Sequence, residues 1–79
     1  MTHKERLEAA FMDAKELGKC VYVDVKFPGG KGAERIINPP ENIDIKLEYY
    51  KEAYDDNLYL KTNAGIEIVS FGYIHTFND

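Results

Sequence analysis

Residues 41–57 repeat their apolar positions with the period of a helix and sort them into separate stripes. At about 100° per residue, Ile43, Leu47, Tyr50 and Tyr54 share one side, while Ile45, Tyr49 and Ala53 make a second, smaller apolar stripe. Glu41, Asp44, Glu48, Glu52 and Asp55 form a carboxylate ridge opposite or beside them. A helix packed on one small core uses only the first stripe. The ridge and the Ile45/Tyr49 pair are surplus to folding, and they point to a partner.

Upstream, Thr2-His3-Lys4-Glu5 reads as a capping box, with the threonine oxygen meeting a free amide of the first turn and the glutamate reaching back. Gly18 suits the left-handed stop, and the apolar residues between predict an amphipathic helix over 3–17. From Lys19 to Phe27 the period changes to two. Val21, Val23, Val25 and Phe27 fall on one face of this predicted strand, and Cys20, Tyr22, Asp24 and Lys26 on the other. Pro28 to Gly32 predicts a turn, because glycine tolerates positive backbone angles, and Ala33 to Ile37 predicts a second strand.

Asn38-Pro39-Pro40 ends that strand and launches the second helix, since proline suits the first helical position and disfavours helix in the residue before it. The pattern predicts this helix from residues 40–42 to about Asp56, with Asn57 as a left-handed cap. Leu58 to Lys61 alternates weakly, as a short edge strand would, and Thr62 to Gly65 reads as a turn. Ile66 to Ile74 is a longer strand, with Ile66, Ile68, Ser70 and Ile74 expected on one face and Glu67, Val69, Phe71 and Tyr73 on the other. Gly72 inside it marks a bulge or a close backbone approach.

This order predicts a single α+β domain over residues 1–79. It is a two-layer sandwich with two helices on one face of a three- to four-stranded, mainly antiparallel sheet, with the first strand in the middle. The outer face of that sheet is expected to carry Tyr22, Val69, Phe71 and Tyr73. That is more apolar surface than a monomer usually leaves wet, and it makes these four residues the expected interface of a homodimer.

Length sharpens this expectation. A chain of 79 residues rarely gains more than about 3–5 kcal/mol from one core, and its single cysteine, Cys20, rules out an intramolecular disulfide or an all-cysteine metal site. The formal charge of −4 removes the electrostatic drive toward nucleic acid. No run approaches the roughly 18 apolar residues of a membrane span, and Met1 to Arg6 is followed by no signal-peptide core. The expectation is a cytoplasmic protein. Six of the ten aromatic residues are tyrosines, an amphipathic choice suited to contact surfaces.

Candidate chemistry is sparse. Gly29, Gly30, Lys31 and Gly32, with Arg35, resemble an anion cradle, yet the segment lacks P-loop spacing and leads into a strand rather than a helix N-terminus. A plain hairpin turn is the commoner meaning. His3 and His75 stand near opposite ends with no ligand spacing. Asp24 is strand-borne and expected to be solvated or paired with Lys26 or Arg35. Cys20 and Ser70 have no base nearby in sequence. These readings predict no catalytic residue, no metal and no cofactor.

The stretch Ile45-Lys-Leu-Glu-Tyr-Tyr-Lys-Glu-Ala-Tyr-Asp-Asp-Asn-Leu-Tyr-Leu-Lys61, with Ile66-Glu-Ile-Val-Ser-Phe-Gly-Tyr73, resembles short proteins of bacteriophages and prophages of Gram-positive bacteria in its texture. No functional residue carries across. The resemblance implies a small acidic protein that inhibits a host or defence protein by surface binding, in the host cytoplasm. The residues expected to meet that protein partner are Asp44, Ile45, Glu48, Tyr49, Glu52 and Asp56. The alternative is an oligomer that binds or sequesters a nucleotide signal, stacking tyrosines on the base and holding phosphate with the Gly29–Gly32 loop, Lys31 and Arg35.

Overall fold

A computed structural model describes residues 1–30 and 32–74. Lys31 and His75 therefore lie outside the described residues. The first helix, α1 (His3–Leu17), begins at the expected capping box: the Thr2 amide donates to Glu5 Oε1 at 2.8 Å and the Glu5 amide to Thr2 Oγ1 at 3.1 Å. Gly18 closes it at φ 68°, a left-handed angle at which a side chain would be strained. β1 (Cys20–Lys26) and β2 (Ala33–Asn38) form the hairpin. A short 3-10 turn (Pro40–Asn42) then leads into α2 (Ile43–Ala53), followed by β3 (Tyr59–Leu60) and β4 (Asn63–Ile74).

The sheet order is β2-β1-β4-β3 and every neighbouring pair is antiparallel, so β1 is an interior strand flanked by β2 and β4. Both helices lie on the face carrying Val21, Val23 and Val25. Leu7, Phe11 and Ala14 of α1 and Ile43, Leu47 and Tyr50 of α2 share one core with these valines. The Phe11 and Tyr50 rings meet edge to face at 5.7 Å, within the range where such pairs attract. The expected two-layer α+β sandwich is thus the architecture of the chain.

β4 begins at Asn63, inside the expected turn of Thr62 to Gly65, and two further segments depart from expectation. α2 stops at Ala53, three residues early, because Tyr54 turns extended and bridges to Leu60. The Asp55 carboxylate accepts hydrogen bonds from the Asn57 amide at 2.9 Å and the Tyr59 amide at 3.0 Å, building an Asx turn. The left-handed residue is then Leu58, at φ 66°, and not Asn57. A leucine there costs roughly 1–2 kcal/mol. Its side chain is buried, its amide donates to Asp55 and its carbonyl accepts from Ile68, and these interactions hold it in place.

The second departure is a bulge in β4. Opposite Asp24 stands Ser70, but opposite the next residue, Val25, stands Ile68, which leaves Val69 without a counterpart. One extra residue reverses the alternation of everything beyond it, because side chains alternate faces with a period of two. Phe71 and Tyr73 consequently stand opposite Val23 and Val21, on the helix side, while Ser70 and Gly72 take the outer face. The expected outer patch of Tyr22, Val69, Phe71 and Tyr73 does not exist as one surface, and Phe71 packs against the core.

The outer face instead carries a polar ladder. Arg35 donates to Asp24 through Nε at 2.9 Å and Nη2 at 3.1 Å, and the Ser70 hydroxyl donates to the same carboxylate at 2.8 Å. The Arg35 guanidinium lies 4.0 Å from the centre of the Tyr22 ring. Tyr22 in turn covers Gly72, where a Cβ would come within 2.9 Å of the ring. Gly72 therefore marks the close approach, and the bulge lies three residues earlier.

Candidate interaction surface on the second helix

Helical spacing places Asp44, Glu48 and Glu52 in one row of α2 and Ile45 and Tyr49 in the adjacent row. The inward stripe is buried as expected, through Ile43, Leu47 and Tyr50, with Tyr54 beyond the helix end. The second stripe is not: Ile45 is 73% exposed and Tyr49 51%. Its third member, Ala53, packs against the core. Tyr49 is nonetheless fixed, its ring edge to face with buried Tyr50 at 5.2 Å. An exposed aromatic braced by the core offers contact area with little conformational entropy left to lose.

The carboxylate row is uneven. Asp44 accepts from Lys15 Nζ of α1 at 2.8 and 3.0 Å. Lys51 pairs with Glu8 at 2.7 Å, which raises the lysine's pKa and ties the helices together. Glu48 and Glu52 form no ion pair among the described residues. They border a groove of about 520 Å³ between α1 and α2, whose lining includes Met12 and Leu47. The remaining predicted residue, Asp56, lies beyond the helix, where its carbonyl accepts from the Lys4 amide. Asp55 is likewise off the ridge, engaged in its turn.

On its other side Tyr49 borders a groove of about 290 Å³, where Tyr49 and Lys46 face Phe27, Ile36 and Ile66. The helical layer stops short of β2 here, so Ile36, although on the core side opposite Val23, remains 38% exposed. Ala33 to Ile37 is a strand as expected, but the incomplete cover over it depends on where α2 lands.

The proposed anion cradle is dispersed. Gly30 and Gly32 line a shallow depression with Phe27, Ala33 and Glu34, Gly29 sits at φ 71° in the turn, and Lys31 lies outside the described residues. Arg35 is turned away to Asp24 and Tyr22. The Asp24 side chain, 15% exposed, has its pKa held below the usual carboxylate value chiefly by the hydrogen bonds from Arg35. These groups stabilise the sheet and leave no cation free beside the glycines among the described residues.

Buried tyrosines also titrate late. Burial pushes Tyr54 up to about 12, and it raises Tyr50 against the opposing hydrogen bond from Asn38. Neither phenol is placed to act as a base near neutral pH. Among the described residues no cluster of three histidine, cysteine or acidic side chains has metal-binding geometry, and no helix is long and apolar enough to cross a membrane. The chain matches no family model, no curated protein and no solved structure.

Proposed function

We propose that this protein is a non-enzymatic interaction protein whose binding surface is the outward side of α2, with Ile45 and Tyr49 as the apolar contact and Glu48 and Glu52 as flanking charges. The observation that carries the reading is the pairing of a core-braced, half-exposed tyrosine with a largely exposed isoleucine one turn away. Neither is needed to fill the core. Glu48 and Glu52, in the neighbouring row, form no ion pair among the described residues, so a partner with basic side chains gains ion pairs at the rim, where charge sets encounter rate and specificity. The resemblance to small phage proteins suggests the form such binding takes, inhibition of a host or defence protein in the cytoplasm.

The test is affinity capture from a Gram-positive cell lysate with the wild-type chain and the Glu48→Lys/Glu52→Lys double variant. Both side chains are exposed, so the variant keeps its fold, as circular dichroism verifies. The expected result is a protein recovered in stoichiometric amount by the wild type and lost with the variant. Equal recovery by both would refute the role of the charges, and no recovery by either would refute a foreign partner in that cell.

A further inference from the structure

The free edge of β2, the groove beside it and the exposed stripe of α2 lie on one side of the molecule, and we infer that a second copy of this chain covers all three. The inference rests on reading Ile45 and Tyr49 as contact residues and divides the surface of α2: a second copy takes Ile45 and Tyr49, and a foreign partner is left the Glu48/Glu52 side. β2 is an edge strand over its whole length. Edge strands are ordinarily guarded by charges, prolines or bulges. Here the central charge, Arg35, is drawn back onto Asp24, and Ile36 and Ile37 follow it with no bulge in the β1–β2 pairing. Pro39, which lacks an amide hydrogen, comes only after the strand ends.

Self-pairing of β2 about a two-fold axis is restricted. Residues opposite one another in an antiparallel pair share a face, so the axis must pass beside a residue and not between two. An axis at Arg35 sets two arginines opposite each other, which is unfavourable. An axis at Ile37 pairs Arg35 with Pro39. An axis at Ile36 faces Ile36 with its own copy, Arg35 with Ile37 and Glu34 with Asn38, with no like charges opposed. The axis at Ile36 is thus the register that opposes no like charges and keeps five residues of β2 paired, against three for an axis at Ile37.

Five paired residues, 34–38, make a strip only about 17 Å long, and a stable interface needs roughly 800 Å² from each partner. That is about a sixth of the 5039 Å² this chain exposes, so the strand must be helped by a second layer. Tyr49 and Lys46 line the groove that ends on Ile36, which places Tyr49 on the β2 side of the helical layer, with Ile45 one turn before it. A copy added at β2 brings its own stripe against this one. The sheet becomes eight-stranded, and the two grooves close over Ile36, Phe27 and Tyr49. Glu48 and Glu52 line the other groove, between α1 and α2, and stay outside this contact.

Light scattering across a concentration series, with two variants, tests this. The wild type is expected to reach twice the 9.1 kDa chain mass, and Ile36→Lys to return it to the single-chain mass with unchanged circular dichroism. Ile36→Cys, its Cα facing its own copy at about 4.5–5.5 Å, is expected to form a disulfide-linked dimer under mild oxidation, whereas Val69→Cys on β4 is not. A wild type that stays at 9.1 kDa up to its solubility limit overturns the inference. So does a dimer that survives Ile36→Lys or cross-links through Val69→Cys. Such failures leave the proposed function standing, because capture by the wild type and its loss with Glu48→Lys/Glu52→Lys are measured independently of self-association.

Discussion

Replacing Asp24 by Asn keeps the shape of the side chain and removes its charge, which isolates what the outer-face ladder contributes. Three hydrogen bonds converge on the carboxylate, two from Arg35 and one from Ser70. Hydrogen bonds to charged groups are worth about 1.5–3 kcal/mol when well buried, and exposed ion pairs about 0–1 kcal/mol. Asp24 is largely covered but its partner is half exposed, so the expected loss is about 1–2 kcal/mol at neutral pH. For a domain of this size, with a urea slope near 1 kcal/mol per M, the unfolding midpoint falls by about 1–2 M. The pH dependence identifies the cause. The folded Asp24 pKa is depressed below its unfolded value near 3.9, so the contribution is full above about pH 5 and is lost as pH falls through the folded pKa. In urea titrations from pH 7 to pH 3, the gap between wild type and Asp24→Asn should therefore narrow as the pH falls. A gap that does not change with pH would show that the amide's mismatched hydrogen bonding, not the lost charge, is responsible, and no gap at pH 7 would refute the ladder's role.

At Leu58 the usual order of substitutions should invert. The left-handed backbone makes Leu58→Gly more stable than Leu58→Ala by roughly 1 kcal/mol in urea unfolding, although both lose the buried side chain. Gly72→Ala should destabilise the wild type by about 1 kcal/mol through overpacking against Tyr22, and should cost almost nothing in a Tyr22→Leu background, a coupling that a double-mutant cycle measures. In alkali, the raised pKa of Tyr54 keeps it neutral in the fold after its unfolded counterpart ionises. Its contribution is full below pH 10 and lost between pH 10 and about pH 12, and phenolate absorbance should show its late titration together with falling stability.

Patterns within single elements were legible in the sequence. The capping box and Gly18 set the ends of α1, the valine alternation set the inner face of β1, and the Ile43/Leu47/Tyr50/Tyr54 stripe identified the buried side of α2. Errors arose where one residue changed the count or a tertiary contact overrode a local signal. The bulge at Val69 carries no glycine to announce it, and it moved Phe71 and Tyr73 to the other face. Asp55 read as the last member of the helical carboxylate ridge, but it caps the turn that terminates the helix. In the candidate surface, Ile45, Tyr49, Glu48 and Glu52 came from periodicity alone. The exposed position of Ile36 beside them depends on which strands α2 leaves uncovered, which no local pattern encodes.

The most direct test of the α2 surface is to place a photo-crosslinking phenylalanine analogue at Tyr49 and to irradiate living cells that express the protein. Lys26, on the outer face of β1, serves as the control position. The account predicts a discrete covalent adduct from position 49, either at twice the chain mass or at the chain mass plus that of a foreign protein, and little from position 26. No adduct from position 49, or the same smear from both positions, would contradict the assignment of Ile45 and Tyr49 as contact residues.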